Sequence, residues 1–297
     1  MRKERAAPAP GLSPGPVGNL WSDAMIPEAP EAPETMTADL ALAGGGWQFR
    51  AKITVPSSPT RLRVLLPMVQ SLTDQVVGAD AKVVNQHGHH ISCKKGCGAC
   101  CRQLVPIAEE EARRIRDLIE ALPEPRRTEV RRRFREARRR LDEAGLLEPL
   151  RGTEESDRAN SLSFSLTYFA QGIPCPFLEE GACSIYNDRP LICREYLVTT
   201  PAANCARPTP ETVRCVPLPF QLSIALKRLQ EGPQAERLVR WVPLILAPEW
   251  AEAHPEEPAA RPGPLWVNAL VEHLVRKDLP VPTLPGIAGS ATDVAGA

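Results

Sequence analysis

The chain has 297 residues, with 36 basic and 36 acidic side chains that give a formal net charge of zero. This length is sufficient for a hydrophobic core, and the balanced charge excludes a global field that would draw the protein onto nucleic acid or an acidic membrane. No apolar run approaches the roughly 18 residues of a membrane-spanning helix, and the basic start at Met1 is followed by Ala, Pro and Gly instead of a signal peptide's apolar segment. We therefore expect a cytoplasmic protein without a membrane partner. The nine cysteines indicate metal binding, because disulfides are rare in a reducing compartment.

The two ends of the chain are rich in proline and small residues. Residues 1–46, which contain much Pro, Ala, Gly and Glu, cannot bury enough apolar area to offset chain entropy, and we interpret them as a disordered leader. Residues 286–297 are interpreted as a disordered tail. The intervening range 47–285 is predicted to be one cysteine-cluster metal-binding domain, whose core covers 93–205.

The first predicted elements are a short strand and a long helix. The strand covers Lys52–Val55. The helix follows from apolar residues at helical spacing, and Pro67 either starts or kinks it. Its apolar stripe, which we assign to the core, consists of Leu62, Leu65, Leu66, Val69, Leu72 and Val76.

Two helices are predicted after the first cysteine group. One follows Pro106, carries acidic residues in its first turn, where they suit the helix dipole, and is stopped by Pro123. The other covers about 126–145, is rich in arginine and ends at Gly145. That basic helix could be read as an RNA-binding element. Because glutamates and aspartates are interspersed and charge alone gives only nonspecific attraction, we favour a solvated face and do not expect nucleic acid as a partner.

The remaining elements complete an α+β class, a mostly helical domain with short hairpin arms organised around a cysteine-ligated metal centre. Residues 161–168 alternate polar and apolar side chains, which favours a strand or hairpin arm. The run from Glu179 to Gly181 is typical of a hairpin turn. Further helices are expected near 219–231 and 264–277.

The first cysteine group places four thiols within nine residues: Cys93, Cys97, Cys100 and Cys101. Metal–sulfur bonds of about 2.3 Å require the sulfurs to converge, and glycines in this loop allow the backbone to turn tightly enough. Cys97 and Cys100 have the spacing of a chelating knuckle. The adjacent thiols of Cys100 and Cys101 cannot easily face one ion from regular structure, so either one of them serves a second metal or the pair lies at a helix start.

The second cysteine group is spread over three local elements. Cys175 precedes the predicted hairpin, Cys183 lies on its second arm, and Cys193 lies in a helix that has Pro190 in its first turn and Asp188 as its predicted cap. Cys205 and Cys215 follow in a looser, proline-rich stretch.

These motifs together resemble the YkgJ-type cysteine-cluster proteins, also called the CxxCxxCC or zinc- or iron-chelating domain family. The resemblance is carried by Cys97-Gly-Ala-Cys100-Cys101, Cys175-Pro-Phe-Leu, Cys183-Ser-Ile-Tyr186, Arg189-Pro190 and Cys193-Arg194-Glu-Tyr196. It implies eight metal ligands: Cys93, Cys97, Cys100, Cys101, Cys175, Cys183, Cys193 and Cys205. The first gap is one residue longer than the family's name, and Cys215 receives no role. His87, His89 and His90 lie near Cys93, but the family pattern does not require them.

The resemblance implies a metal-binding function and leaves the reaction open. Eight thiolates suit two zinc ions with four sulfurs each, or an iron–sulfur cluster with four thiolates and further sulfurs for a second centre or for structure. Flagellin lysine N-methylase, a related family, shares this kind of cluster and is regarded as an iron–sulfur protein, which favours iron–sulfur. A cluster-dependent protein-modifying enzyme is the alternative function. Whether the protein is an enzyme stays open, and so does the identity of any protein partner.

The cationic side chains beside the predicted ligands have two possible roles. Four thiolates outweigh the charge of one zinc ion, and nearby cations could compensate the excess; otherwise they are ordinary surface charges. They are Lys94, Lys95, Arg102, Arg189 and Arg194.

Overall fold

The computed structural model describes residues 34–44, 47–151, 162–209, 211–229 and 240–275. Over these residues the α-helices are α1 Leu66–Gln86, α2 Glu109–Glu120, α3 Arg126–Glu143, α4 Leu147–Arg151, α5 Leu162–Ala170, α6 Leu191–Glu195, α7 Leu222–Arg228, α8 Ala247–Ala253 and α9 Gly263–Val275. Short 3₁₀ turns occupy Leu62–Leu65, Tyr186–Asp188, Ala202–Ala206 and Leu244–Leu246.

The strands form four two-stranded antiparallel sheets within the described ranges. They are β1 Thr35–Gly44, β2 Trp47–Pro56, β3 Pro59–Thr60, β4 Pro106–Ile107, β5 Leu178–Glu179, β6 Ala182–Cys183, β7 Val242–Pro243 and β8 Arg261–Pro262. The pairs are β1–β2, β3–β8, β4–β7 and β5–β6. Helices joined by small antiparallel pairs confirm the predicted α+β class.

The hairpin β1–β2 differs from the expectation that residues 1–46 are a disordered leader. Thr35 pairs with Pro56 and the register continues to Gly44 opposite Trp47. Strand β1 is amphipathic, since Leu42 is buried while its neighbours Ala41 and Ala43 are exposed. The composition of residues 1–46 does not reveal this alternation, because it takes no account of residue order. Residues 1–33, 45 and 46 lie outside the described residues, as does the predicted tail at 286–297.

The first hydrophobic core holds the hairpin against three helices. Leu66, Val69 and Val76 of α1 are buried against β2, α7 and α9. Pro67 lies in the first turn of α1, where its missing N–H costs nothing, so the predicted helix begins at this proline without a kink.

The second core is the one that reaches the cysteines. Ile115 and Ile119 of α2 and Val130 and Phe134 of α3 pack with Phe177, and the side chains of Cys175, Cys183 and Cys193 pack against this cluster. Both helices therefore have the predicted positions, and their apolar faces support the second cysteine group.

The third core contains a helix where a strand was predicted. Residues Leu162–Ala170 form helix α5, although the alternating pattern at 161–168 predicted a strand. Phe164 and Tyr168 are four residues apart, so a helix also brings them onto one face, where both are buried with Leu141 and Trp241. The remaining apolar residues of the alternation, Leu162 and Leu166, are exposed.

Candidate metal centre

One cavity of about 160 Å³ brings the two cysteine groups together. Among its lining residues are all eight cysteines of the predicted ligand set: Cys93, Cys97, Cys100, Cys101, Cys175, Cys183, Cys193 and Cys205. Tyr186, Arg189 and Tyr196 also line it, and Lys94 lies at its edge. Thiols from distant parts of the sequence therefore face a common space.

Tight turns shape the first cysteine loop. The Cys97 amide donates to the Lys94 carbonyl (3.0 Å) and the Cys101 amide donates to the Gly98 carbonyl (3.1 Å). Gly96 has φ +91°, a conformation that side chains rarely adopt. These turns direct successive sulfurs of the loop toward the cavity.

Gly98 joins the first loop to the second group. A Cβ atom at Gly98 would lie 2.5 Å from the carbonyl oxygen of Gly181 and 2.5 Å from a methyl carbon of Leu178. Only glycine permits this approach of the loop to the β5–β6 hairpin. The Cys175 amide adds a hydrogen bond of 2.7 Å to the Cys101 carbonyl.

The β5–β6 hairpin and helix α6 present the second group. Glu180 and Gly181 both have positive φ, 49° and 80°, as a two-residue turn requires; Glu179, which was predicted as part of the turn, belongs to β5. Cys193 lies inside α6 as predicted, but Pro190 occupies the N-cap position. The predicted cap, Asp188, instead accepts a hydrogen bond from Arg114 (2.9 Å).

The segment after α6 carries Cys205 and Cys215 and closes against the first loop. The Val198 amide donates to Cys93 Sγ (3.4 Å), and Cys205 is buried in a 3₁₀ turn. Cys215 forms an isolated antiparallel bridge with Val198. Its side chain lies near the Tyr196 hydroxyl, which accepts a hydrogen bond from Gln103 (3.0 Å). Cys215 is not among the lining residues of the cavity.

Burial raises the pKa of most of these thiols. The pKa of Cys175 rises to about 12 and that of Cys205 to about 11, chiefly because burial disfavours the thiolate. Neighbouring cysteines raise the pKa further in both residues. Thiols that resist ionisation must release protons when they bind a cation, so metal binding at this cavity is coupled to proton release.

The donor chemistry fits a thiolate-bound metal, but the side chains do not form a single-ion site as they stand. Over the described ranges, no three Cys, His, Asp or Glu side chains are grouped so that they could hold one ion. His87, His89 and His90 are exposed and do not line the cavity. Their ring contacts are local: His87 Nδ1 lies 2.9 Å from the Val83 carbonyl oxygen.

Two buried groups behind the site were not predicted from the sequence. Glu111 Oε1 accepts a hydrogen bond from the Leu191 amide at the start of α6 (2.7 Å), and the fully buried Lys227 donates to the Pro106 carbonyl (3.4 Å). The position of Glu111 three residues after Ala108 signals a helix cap. Nothing in the sequence signals its contact with α6.

The fold and the cavity define a protein of the cysteine-cluster class, in which helices and short hairpins support a thiol-lined space. Residues 92–215 match the model of the family CxxCxxCC, described as "Putative zinc- or iron-chelating domain". This match confirms the resemblance predicted from the motifs. No curated protein and no solved structure matches the chain. Within the described residues, no helix is both long and apolar enough to span a bilayer.

Proposed function

We propose that this protein binds metal through the cysteines of the cavity, and that four of these eight thiolates hold an iron–sulfur cluster, with the others left for a second centre or for structure. The observation that carries the proposal is the shared cavity, lined by thiols from both cysteine groups. Thiolates bind zinc and iron–sulfur clusters strongly, and the matched family is described by zinc or iron chelation.

The number of thiols and the size of the cavity favour a polynuclear centre over one zinc ion, which binds four sulfurs at about 2.3 Å. An iron–sulfur cluster distributes its thiolates over several irons. The cavity volume of about 160 Å³ is comparable to the ~150 Å³ that admits benzene, which is ample for a polynuclear centre.

Anaerobic purification followed by iron, sulfide and zinc analysis tests the proposal. We expect iron and inorganic sulfide in similar amounts, with a broad visible absorption that bleaches on reduction. A colourless protein that contains zinc and no iron would contradict the cluster and leave the thiolate site standing. A protein without bound metal after anaerobic reconstitution would contradict the site itself.

The Cys100→Ser variant tests the ligand set. Cys100 lies beside Cys101, and the contact between their thiols is the largest contribution to the raised pKa of Cys100. We expect Cys100→Ser to lower metal content and solubility together, because it removes a thiolate from the centre of the first loop. Full metal content in this variant would show that Cys100 is not a ligand.

The proposed location is the cytoplasm. All nine cysteines are free thiols, and clustered free thiols persist in reducing compartments. Fluorescence microscopy of a tagged full-length chain tests this, and an exported protein would contradict it.

A further inference from the structure

Two arginines flank Cys193 of the second cysteine group, and the structure gives them different environments. Arg194 is buried and uses its guanidinium within the protein: Nη1 lies 2.5 Å from Asp74 Oδ2, and Nε donates to the Arg189 carbonyl (3.0 Å). Nη2 donates to the Asn187 carbonyl. Arg194 therefore has a structural role, and its hydrogen bond to the Arg189 carbonyl fixes the backbone at Arg189.

Arg189 lines the cavity and lacks such partners. Its Nε is buried without a hydrogen-bond partner, and no carboxylate of the described residues lies within ion-pair distance of it. Its guanidinium instead stacks on Tyr186, with Cζ 4.2 Å from the ring centroid. Tyr186 also lines the cavity, so the cation is held at the cavity wall.

The backbone around Arg189 restricts where this cation can go. The following residue, Pro190, restricts Arg189 to extended conformations, and the observed φ and ψ are −58° and 144°. The hydrogen bond from Arg194 to the Arg189 carbonyl also holds this backbone in place.

The charge of Arg189 acts on thiols of both cysteine groups. The pKa of each of Cys93, Cys100 and Cys183 is raised overall, by burial in Cys93 and Cys183 and chiefly by the Cys101 thiol in Cys100, and the charge of Arg189 opposes this rise in all three. The positive charge of Arg189 therefore stabilises the thiolate form of the cysteines near it in the cavity.

We propose that Arg189 is the counter-ion of the thiolate–metal centre, a positioning residue that offsets the surplus negative charge of the ligands. The inference rests on the proposed function. Four thiolates around one zinc ion, or around a cluster core of charge +2, leave a net charge of about −2. The half-buried guanidinium of Arg189 has a buried Nε without a hydrogen-bond partner, which is costly, and an anionic centre beside it reduces that cost.

The test compares metal release in three variants of the full chain. Arg189→Gln removes the charge, Arg189→Lys keeps it, and Arg135→Gln removes a charge from the exposed face of α3. Metal loss from the anaerobically isolated proteins is followed after addition of a chelator. We expect loss from Arg189→Gln to be about 10-fold faster or more, as is common for changes beside metal ligands. Arg189→Lys should stay within about threefold of the wild type, and Arg135→Gln should match it.

Thermal unfolding of the metal-free proteins separates this role from a structural one. Since Arg189 has no carboxylate partner in the described residues, metal-free Arg189→Gln should unfold at the wild-type temperature or above it. A lower unfolding temperature for that metal-free variant would overturn the inference. Equal metal loss in Arg189→Gln and wild type, or equal acceleration in the Gln and Lys variants, would also overturn it. Absence of metal from the wild type would instead contradict the proposed function.

Discussion

At the scale of single residues, the most unusual group is Lys227, which is fully buried between two buried carboxylates. Burial lowers the pKa of Lys227 to about 8, while burial raises the pKa of Glu195 to about 7. Burial also raises the pKa of Glu111. The lysine charge opposes both carboxylate shifts. Charged groups persist in an apolar interior only when they compensate one another.

Replacement of Lys227 by methionine should destabilise the protein by about 3–5 kcal/mol near neutral pH, because it leaves two buried carboxylates without a cation. The loss should be pH-dependent. Without the lysine, the folded-state pKa of both carboxylates rises further above the unfolded value. The folded state then retains protons that the unfolded state releases, so stability falls as pH rises through this range.

Urea unfolding of Lys227→Met at pH 5 and pH 8 measures this effect. The deficit relative to wild type should be smaller at pH 5, where Glu195, whose pKa is raised to about 7, is largely protonated. Lys82→Met, which changes an exposed lysine of α1, is the matched control and should change stability little. A deficit that is equal at both pH values would contradict the compensating role.

At the scale of elements, Glu111 connects two helix starts. One carboxylate oxygen accepts the Ala108 amide at the start of α2 (2.9 Å), and the other accepts the Leu191 amide at the start of α6 (2.7 Å). Helix α6 has only five residues, so it cannot hold itself in place. Its position, and that of Cys193 within it, depends on this connection.

We expect Glu111→Gln to destabilise the fold by about 1–3 kcal/mol, because the amide has one oxygen for two buried donors. We also expect it to lower metal content by displacing Cys193. Chemical unfolding and metal analysis measure the two effects. Glu120→Gln at the end of the same helix removes a surface ion pair with Arg131, which contributes little. Wild-type metal content in Glu111→Gln would contradict this positioning role.

Helix α3 shows that a local sequence pattern can be sufficient to predict a secondary-structure element. Helix α3 has Val130, Phe134 and Leu141 on one buried face, and its arginines form repeated ion pairs with glutamates, such as Arg132–Glu129 and Arg139–Glu136. The periodicity therefore predicted the helix correctly. The prediction that it does not bind nucleic acid stays a prediction. The period-two pattern at 161–168 misled because two aromatic residues four apart satisfy a helix as well as a strand.

At the scale of the whole molecule, the cavity joins segments that are far apart in sequence, so a metal centre there should stabilise the entire domain. Removal of metal by a chelator should lower the unfolding temperature by about 10 °C, since tight binding to the folded state alone contributes a few kcal/mol. Calorimetry before and after chelation measures the shift. The same chelator should not change the unfolding temperature of Cys100→Ser protein from which metal has already been removed. An unchanged wild-type transition after complete metal removal would contradict this linkage.

The sequence by itself determined the chemistry of the cavity and most of the local structure. Cysteine spacing, the hairpin turn at Glu180 and Gly181, and the apolar periodicity of α1 to α3 are short-range features, encoded by residues close together in the chain. The cysteine motifs were sufficient to recognise the family resemblance, and that resemblance implied the eight thiols that line the cavity.

Only the tertiary structure decided how those thiols meet and which neighbours act on them. The approach of Gly98 to Gly181, the connection from Glu111 to Leu191 and the contrast between Arg189 and Arg194 all join distant segments. No local pattern encodes them, because each depends on the packing of whole helices around the second core. The same packing leaves Cys215 outside the cavity although it lies only ten residues after Cys205.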